Sequence, residues 1–215
     1  VLEAAGVNLD LDAGQVARCV EKIGVGFLFA PKHHSAMKHA IGPRKEMGVR
    51  TLFNLLGPLT NPAAAPNQVL GVFSAEWLEP LAQVLGKLGS EHVLVVHADD
   101  GLDEISIASS TRVAELKAGS VRSYQVSPDQ FGMKTGNVAE LAVENAQQSL
   151  TMINRVLDDT PGPAHDIVAL NAGAAIYAAG VADSLQAGVE VAQQAIASGA
   201  AKQKLKDLIE FSNSV

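Results

Sequence analysis

The 215-residue sequence holds a single cysteine, few aromatic residues (six Phe, two Tyr, one Trp) and no long apolar run. Cys19 has no intrachain partner, which excludes a disulfide scaffold and sets the expectation of a reducing, cytoplasmic setting. No stretch approaches the roughly 18–20 apolar residues of a spanning helix, so no membrane partner is expected. Cations are in deficit as well: 16 Lys and Arg stand against 23 Asp and Glu, a formal charge of −7. That balance repels phosphate backbones and argues against nucleic acid as a partner. Also missing are a Gly-x-Ser-x-Gly elbow, a His-Glu-x-x-His helix, a P-loop and a paired-cysteine motif. There is no initiator Met or signal-like segment, and Val1 to Gly6 reads as the tail of a helix closed by glycine, so a fragment of a longer protein is expected.

What is present is the composition of a folded domain, 47% hydrophobic and 18% charged, with chain enough for one large domain or a domain plus an appendage. Val16, Val20 and Ile23 recur at helical spacing behind Asp12, a good N-cap, which predicts a helix over 13–23. Short apolar runs predict strands at 25–30, 68–73, 92–97, 105–108, 111–116 and 121–126; the uninterrupted run 92–97 suits a strand buried on both faces. Helices are expected at 33–48 in two pieces broken near Gly42-Pro43, at 75–88, and then at 139–159, 163–179, 184–198 and 200–211. Residues 51–56 are an ambiguous apolar run stopped by Gly57-Pro58. Fourteen of the 33 alanines fall between 161 and 201, where small side chains let helices pack closely. Strands alternating with helices, then helices alone, predict an α/β fold with a mixed central sheet flanked by helices and a helical C-terminal part.

Charge is distributed unevenly. Residues 32–50 contain Lys32, Lys38, Arg44, Lys45 and Arg50 against Glu46 alone, a net +4 that leaves −11 for the remainder. A local basic field of this kind suits an anionic ligand, although most Lys and Arg simply face water. The opposite cluster, Asp99-Asp100-Gly-Leu-Asp103-Glu104, directly follows the run 92–97, and ligands of α/β sheets bind beyond the carboxyl ends of strands. Asp103 and Glu104 are hard oxygen donors suited to Mg2+; four acids in six residues also make an ordinary surface turn. His33, His34 and His39 do not make a zinc site, because adjacent histidines on a helix diverge by about 100° and no carboxylate accompanies them.

Several runs resemble the anthranilate phosphoribosyltransferase family: Phe27-Leu-Phe-Ala-Pro-Lys-His-His-Ser-Ala-Met-Lys-His39 and Gly42-Pro-Arg-Lys-Glu-Met-Gly-Val-Arg-Thr-Leu-Phe-Asn-Leu-Leu-Gly-Pro-Leu-Thr-Asn-Pro62, with Gln68-Val-Leu-Gly-Val72, Asp100-Gly-Leu-Asp-Glu-Ile-Ser106 and Asn171-Ala-Gly-Ala-Ala175. The resemblance covers essentially the whole chain. It implies the nucleoside phosphorylase/phosphoribosyltransferase type of α/β domain, and transfer of phosphoribosyl from phosphoribosyl pyrophosphate to the amine of anthranilate in tryptophan biosynthesis. It places Arg44 at the anthranilate carboxylate, where a guanidinium fork makes paired charge-assisted bonds. It places His34, Ala30, Pro31 and Pro58 along the anthranilate channel, and Asp103 and Glu104 as ligands of the cofactor Mg2+. No residue is assigned a direct catalytic part. Ser35 stands where the family often has Pro, a change expected to be mild. The family's Gly-rich diphosphate loop, its Lys-His-Gly-Asn-Arg segment and the N-terminal helical domain through which it dimerises have no counterpart in this sequence. The resemblance therefore implies that residues 1–215 are one incomplete phosphoribosyltransferase domain of a homodimeric enzyme, inactive alone. The alternatives are a pyrimidine nucleoside phosphorylase of the same fold and a non-catalytic binding module that retains the acceptor pocket.

Overall fold

Strand β2 (His92–Ala98) sets the architecture, because its side chains alternate between two covered faces. Val93 and Val95 enter one core and Leu94 and Val96 the other, and all four are fully buried. The computed structural model describes residues 1–33, 57 and 59–215. Among these, β1 (Asn67–Gly71) pairs parallel to β2, and β3 (Thr111–Lys117) and β4 (Ser120–Val126) follow antiparallel, in the order β1-β2-β3-β4. The sheet is mixed and helix-flanked, as expected. The β3–β4 turn is two residues long, with Ala118 and Gly119 both at positive φ, the twist that closes a tight hairpin.

Seven α-helices have both ends among the described residues. They are α1 (Ala13–Ile23), the single turn α2 (Ala30–His33), α3 (Leu78–Lys87), α4 (Ala146–Leu157), α5 (Pro163–Ala178), α6 (Leu185–Ala197) and α7 (Ala200–Ser212). Helix α3 carries Leu78, Leu81, Ala82 and Leu85 at the spacing of one helical face, and lays them on Val93, Val95, Ala114 and Leu116. On the opposite face α5 packs Ala169, Leu170 and Ala174 against Leu94, Val96 and Val113, with α6 behind it through Val189 and Ile196. A third core joins α1 to α7: Val16 and Cys19 meet Phe211 and Val215. Asp12 caps α1 as expected, reciprocated by Gln15.

Helices α5 and α6 cross at two glycines. A Cβ on Gly188 would lie 2.3 Å from the Gly173 carbonyl oxygen, and one on Gly173 would lie 2.6 Å from the Val189 backbone. The obstacles are main-chain atoms, so they cannot swing aside. We expect Gly188→Ala to lower unfolding stability by about 2 kcal/mol despite alanine's better helix propensity. An unchanged denaturation midpoint would show that the helices can separate at no cost.

Three expectations are corrected. Residues 25–29 form no strand among the described residues; they lie on α1, close enough that a Cβ on Gly26 would be 2.9 Å from Val16 Cγ1, and then turn into α2. Residues 105–108 are not a strand either, because side chains take the backbone groups a ladder would use. The expected helix 139–159 divides into a 3₁₀ turn (Val138–Leu141) and α4, with Asn145 capping the second piece. The two-piece helix after His33 and the apolar run 51–56 lie outside the described residues.

Candidate active site

Beyond Ala98 the chain reverses in a tight turn, with the Gly101 N–H bonded to the Ala98 carbonyl at 2.9 Å and the Ala98 N–H to the Leu102 carbonyl at 3.0 Å. Gly101 makes this possible by adopting φ 93°, a region costly to any residue with a Cβ. The four acids of the turn then separate into two pairs. Asp99 accepts from Arg112 Nε and from Gln125 Nε2, both at 2.9 Å. The Asp100 carboxylate accepts from the Leu102 N–H at 3.1 Å and from Ser106 Oγ. Burial alone would raise the Asp100 pKa, but the bonds from Ser106, Leu102 and Ser109 outweigh it and hold the carboxyl below its usual range. Asp99 and Asp100 are thus occupied in building the turn.

Asp103 and Glu104 are different. Both are exposed, and neither carboxylate has a hydrogen bond or ion pair among the described residues. The Glu104 pKa is raised, first by partial desolvation and then by the negative charge of Asp103 beside it. Two adjacent carboxylates with no cationic partner among the described residues fit the way Mg2+ is held, by one or two acidic side chains plus substrate oxygens. Among the described residues no group of three or more His, Cys, Asp or Glu side chains gathers into a self-sufficient metal cage. The donor set therefore suits a cation that arrives with an anionic substrate.

Both backbone flanks of the pair are constrained. Gly71, at the end of β1, lies directly under Asp103, and a Cβ there would fall 1.6 Å from the Asp103 carbonyl oxygen. His97 Nδ1 bonds the neighbouring Val72 carbonyl at 2.8 Å, which ties the ends of β1 and β2 together. On the far side, Asn171 of α5 accepts from the Ile105 N–H and donates to the Ile105 carbonyl, each at 2.9 Å. Gly71 and Asn171 carried no assigned part in the sequence reading, yet signals existed. A glycine interrupting an apolar strand marks a close backbone approach, and an Asn in the middle of an alanine-rich helix needs a partner.

Of the other expected site residues, Ala30 and Pro31 form the exposed first half of α2, behind the stacked rings of Phe27 and Phe29. Lys32, one of the cations in the basic segment, is spent on Asp10 at 2.7 Å. No hydrogen bond or ion pair joins α2 to the acid turn among the described residues. His34, Arg44 and Pro58 lie outside the described residues. Two open grooves of about 790 and 660 Å3 flank β4, and neither is lined by Asp103 or Glu104.

Comparison with known proteins points one way. Residues 1–202 match the family model described as the glycosyl transferase family, a/b domain. The chain is 67% identical over 214 residues to the anthranilate phosphoribosyltransferase of Thioalkalivibrio sulfidiphilus, covering 100% of this chain and 63% of that protein. It superimposes on the crystal structure of anthranilate phosphoribosyltransferase from Thermus thermophilus with a TM-score of 0.91 at 43% identity, over 99% of this chain and 63% of that one. The Saccharomyces cerevisiae enzyme in complex with phosphoribosyl pyrophosphate and Mg gives a TM-score of 0.89 at 26% identity, over 100% of this chain and 62% of that one. The chain thus spans a little under two thirds of the length of the proteins it matches.

Proposed function

Because this chain belongs to the glycosyl transferase family through its a/b domain, we propose that it is the acceptor-binding and metal-binding part of an anthranilate phosphoribosyltransferase. The reaction joins the anthranilate amine to C1 of the ribose. The C1–O bond to pyrophosphate breaks with its electron pair leaving on pyrophosphate, and the amine gives up one proton. The observation that carries this reading is the division of the acid turn, in which Asp99 and Asp100 are bonded into the turn while Asp103 and Glu104 have no hydrogen bond or ion pair among the described residues. Those two carboxylates would hold Mg2+, which when bound supplies positive charge to the departing pyrophosphate. Arg44 would bind the anthranilate carboxylate through its guanidinium fork. His34, Ala30, Pro31 and Pro58 would line a channel for the flat ring. Residues 1–215 constitute one domain in this reading. An N-terminal helical domain and a Gly-rich diphosphate loop complete the enzyme, which pairs as a homodimer through the helical part in the cytoplasm.

The test is an assay of the full-length protein for consumption of anthranilate and release of pyrophosphate. Turnover is expected only with anthranilate, phosphoribosyl pyrophosphate and Mg2+ together. Asp103→Asn combined with Glu104→Gln is expected to lower it by about tenfold or more at fixed Mg2+. Undiminished turnover across a Mg2+ titration would remove the pair from the metal site. Activity with inorganic phosphate and a pyrimidine nucleoside instead would establish the phosphorylase.

A further inference from the structure

Asn171 is an unusual residue for its place. It lies in the middle of the sixteen-residue α5, between the buried Leu170 and the tightly packed Gly173. Asn is a weak helix former there, because its amide competes for backbone groups. That competition occurs: Nδ2 bonds the Ile167 carbonyl, one helical turn back, at 2.9 Å. The same amide then pairs with both backbone groups of Ile105, 66 residues away in sequence. It meets them as a neighbouring strand would, with one donor and one acceptor side by side. Few side chains carry both groups on so short a stem: Asp has no donor, Leu has neither, and Gln is one methylene longer.

Ile105 follows Glu104 directly, and its own side chain is sunk in the core beneath α5. The residue before Glu104 rests on Gly71. The two carboxylates therefore project from a dipeptide pinned at its rear to α5 and at its front to β1.

We propose that Asn171 is a positioning residue for the Asp103 and Glu104 carboxylates, setting their spacing for a divalent cation. The inference rests on the metal reading of the acid pair given above. Removing the amide frees the backbone at Ile105, so the carboxylates sample orientations that cannot both face one ion.

The test uses Mn2+ alone as the probe, titrated into the full-length protein and followed by water-proton relaxation, with melting and steady-state kinetics alongside. Asn171→Leu keeps similar volume and removes all three bonds. It is expected to weaken Mn2+ binding by about 10- to 100-fold and to raise the Mg2+ needed for half-maximal turnover by a similar factor. The KM for anthranilate is expected to stay within about twofold, and Asn171→Gln to recover part of the loss. A folded Asn171→Leu that binds Mn2+ as the parent does would overturn the proposal, as would an anthranilate KM that moves as far as the Mg2+ requirement. Should Asn171→Leu not fold, Asn171→Ala is read by the same criteria. Failure of both to fold would make the amide inseparable from stability and likewise overturn it. Asp103→Asn with Glu104→Gln serves as the reference. If that variant keeps its Mn2+ affinity, the metal reading fails and takes this inference with it; if it loses Mn2+ while Asn171→Leu does not, the positioning role alone fails.

Discussion

Gly71→Ala is expected to cost about 3 kcal/mol of unfolding stability and to reduce Mg2+-dependent turnover by more than about tenfold. The reason is purely steric. Gly71 is an ordinary strand residue, paired in register with Val96, and does not need glycine's conformational freedom. Alanine would even be the better β-former. But its methyl would fall 1.6 Å from the carbonyl oxygen and 2.6 Å from the carbonyl carbon of Asp103, and backbone atoms have no rotamer to retreat into. Either β1 leaves β2 or the turn bearing Asp103 and Glu104 lifts away, and both results disturb the acid pair. Urea denaturation and a Mg2+ titration of turnover read the two effects separately. A variant with the parent's midpoint and Mg2+ response would mean that this close approach holds nothing in place.

The second large effect is expected at Glu115, a fully buried carboxylate that shares no hydrogen-bond partner with the acid turn. Its oxygens accept from Tyr177 Oη at 2.7 Å and from Arg122 Nη2 at 2.8 Å and Nε at 3.0 Å, with His92 Nε2 at 3.0 Å. Burial pushes its pKa up, but the bonds from Tyr177, Arg122, Tyr124 and His92 prevail, and the carboxyl ends below its usual value. Desolvation and then the Glu115 charge keep the Tyr124 phenol neutral by raising its pKa. Glu115→Leu would leave the buried His92 Nε2 without its carboxylate and the Tyr177 hydroxyl with only its bond from Lys117 Nζ at 3.2 Å, while Arg122 can turn to solvent; a loss of about 3 kcal/mol at neutral pH is expected.

The pH dependence has a definite sign. A carboxyl whose folded pKa lies below its unfolded value, about 4.3 for Glu, stabilises fully above that value and loses its contribution as pH falls through the folded pKa. The stability gap between the parent and Glu115→Gln should therefore be widest at neutral pH and close under acid conditions. A gap that stays constant down to the acid transition would show that the charge on Glu115 does not contribute.

How far the sequence could be read depended on whether a feature was local. The run 92–97 has no breaker and no charge, so a doubly covered strand was the natural reading, and β2 is one. The cap at Asp12 was equally local. Ile105-Ser-Ile-Ala108 also alternates as a strand does, yet Asn171, Thr111 and Ser106 decide its conformation, and the first of these lies on a helix far along the chain. The acid turn shows the same limit. Four acids in six residues are indistinguishable by composition, and it was family resemblance that selected Asp103 and Glu104. The physical distinction comes from Arg112 and Gln125, which reach Asp99 from β3 and β4, and from Ser106, which reaches Asp100.

The joint between α1 and α7 bears on how the protein is made. Asn8 bonds the Ser212 hydroxyl and carbonyl, Lys204 reaches the Ile23 carbonyl, and Val16 and Cys19 find their cover in Phe211 and Val215. Helix α1 emerges from the ribosome some two hundred residues before the side chains that bury its apolar face. Throughout that interval it carries an uncovered stripe, and the loop that must close to cover it is nearly as long as the chain. Docking of α1 thus waits for α7, and until then its apolar face is open to aggregation.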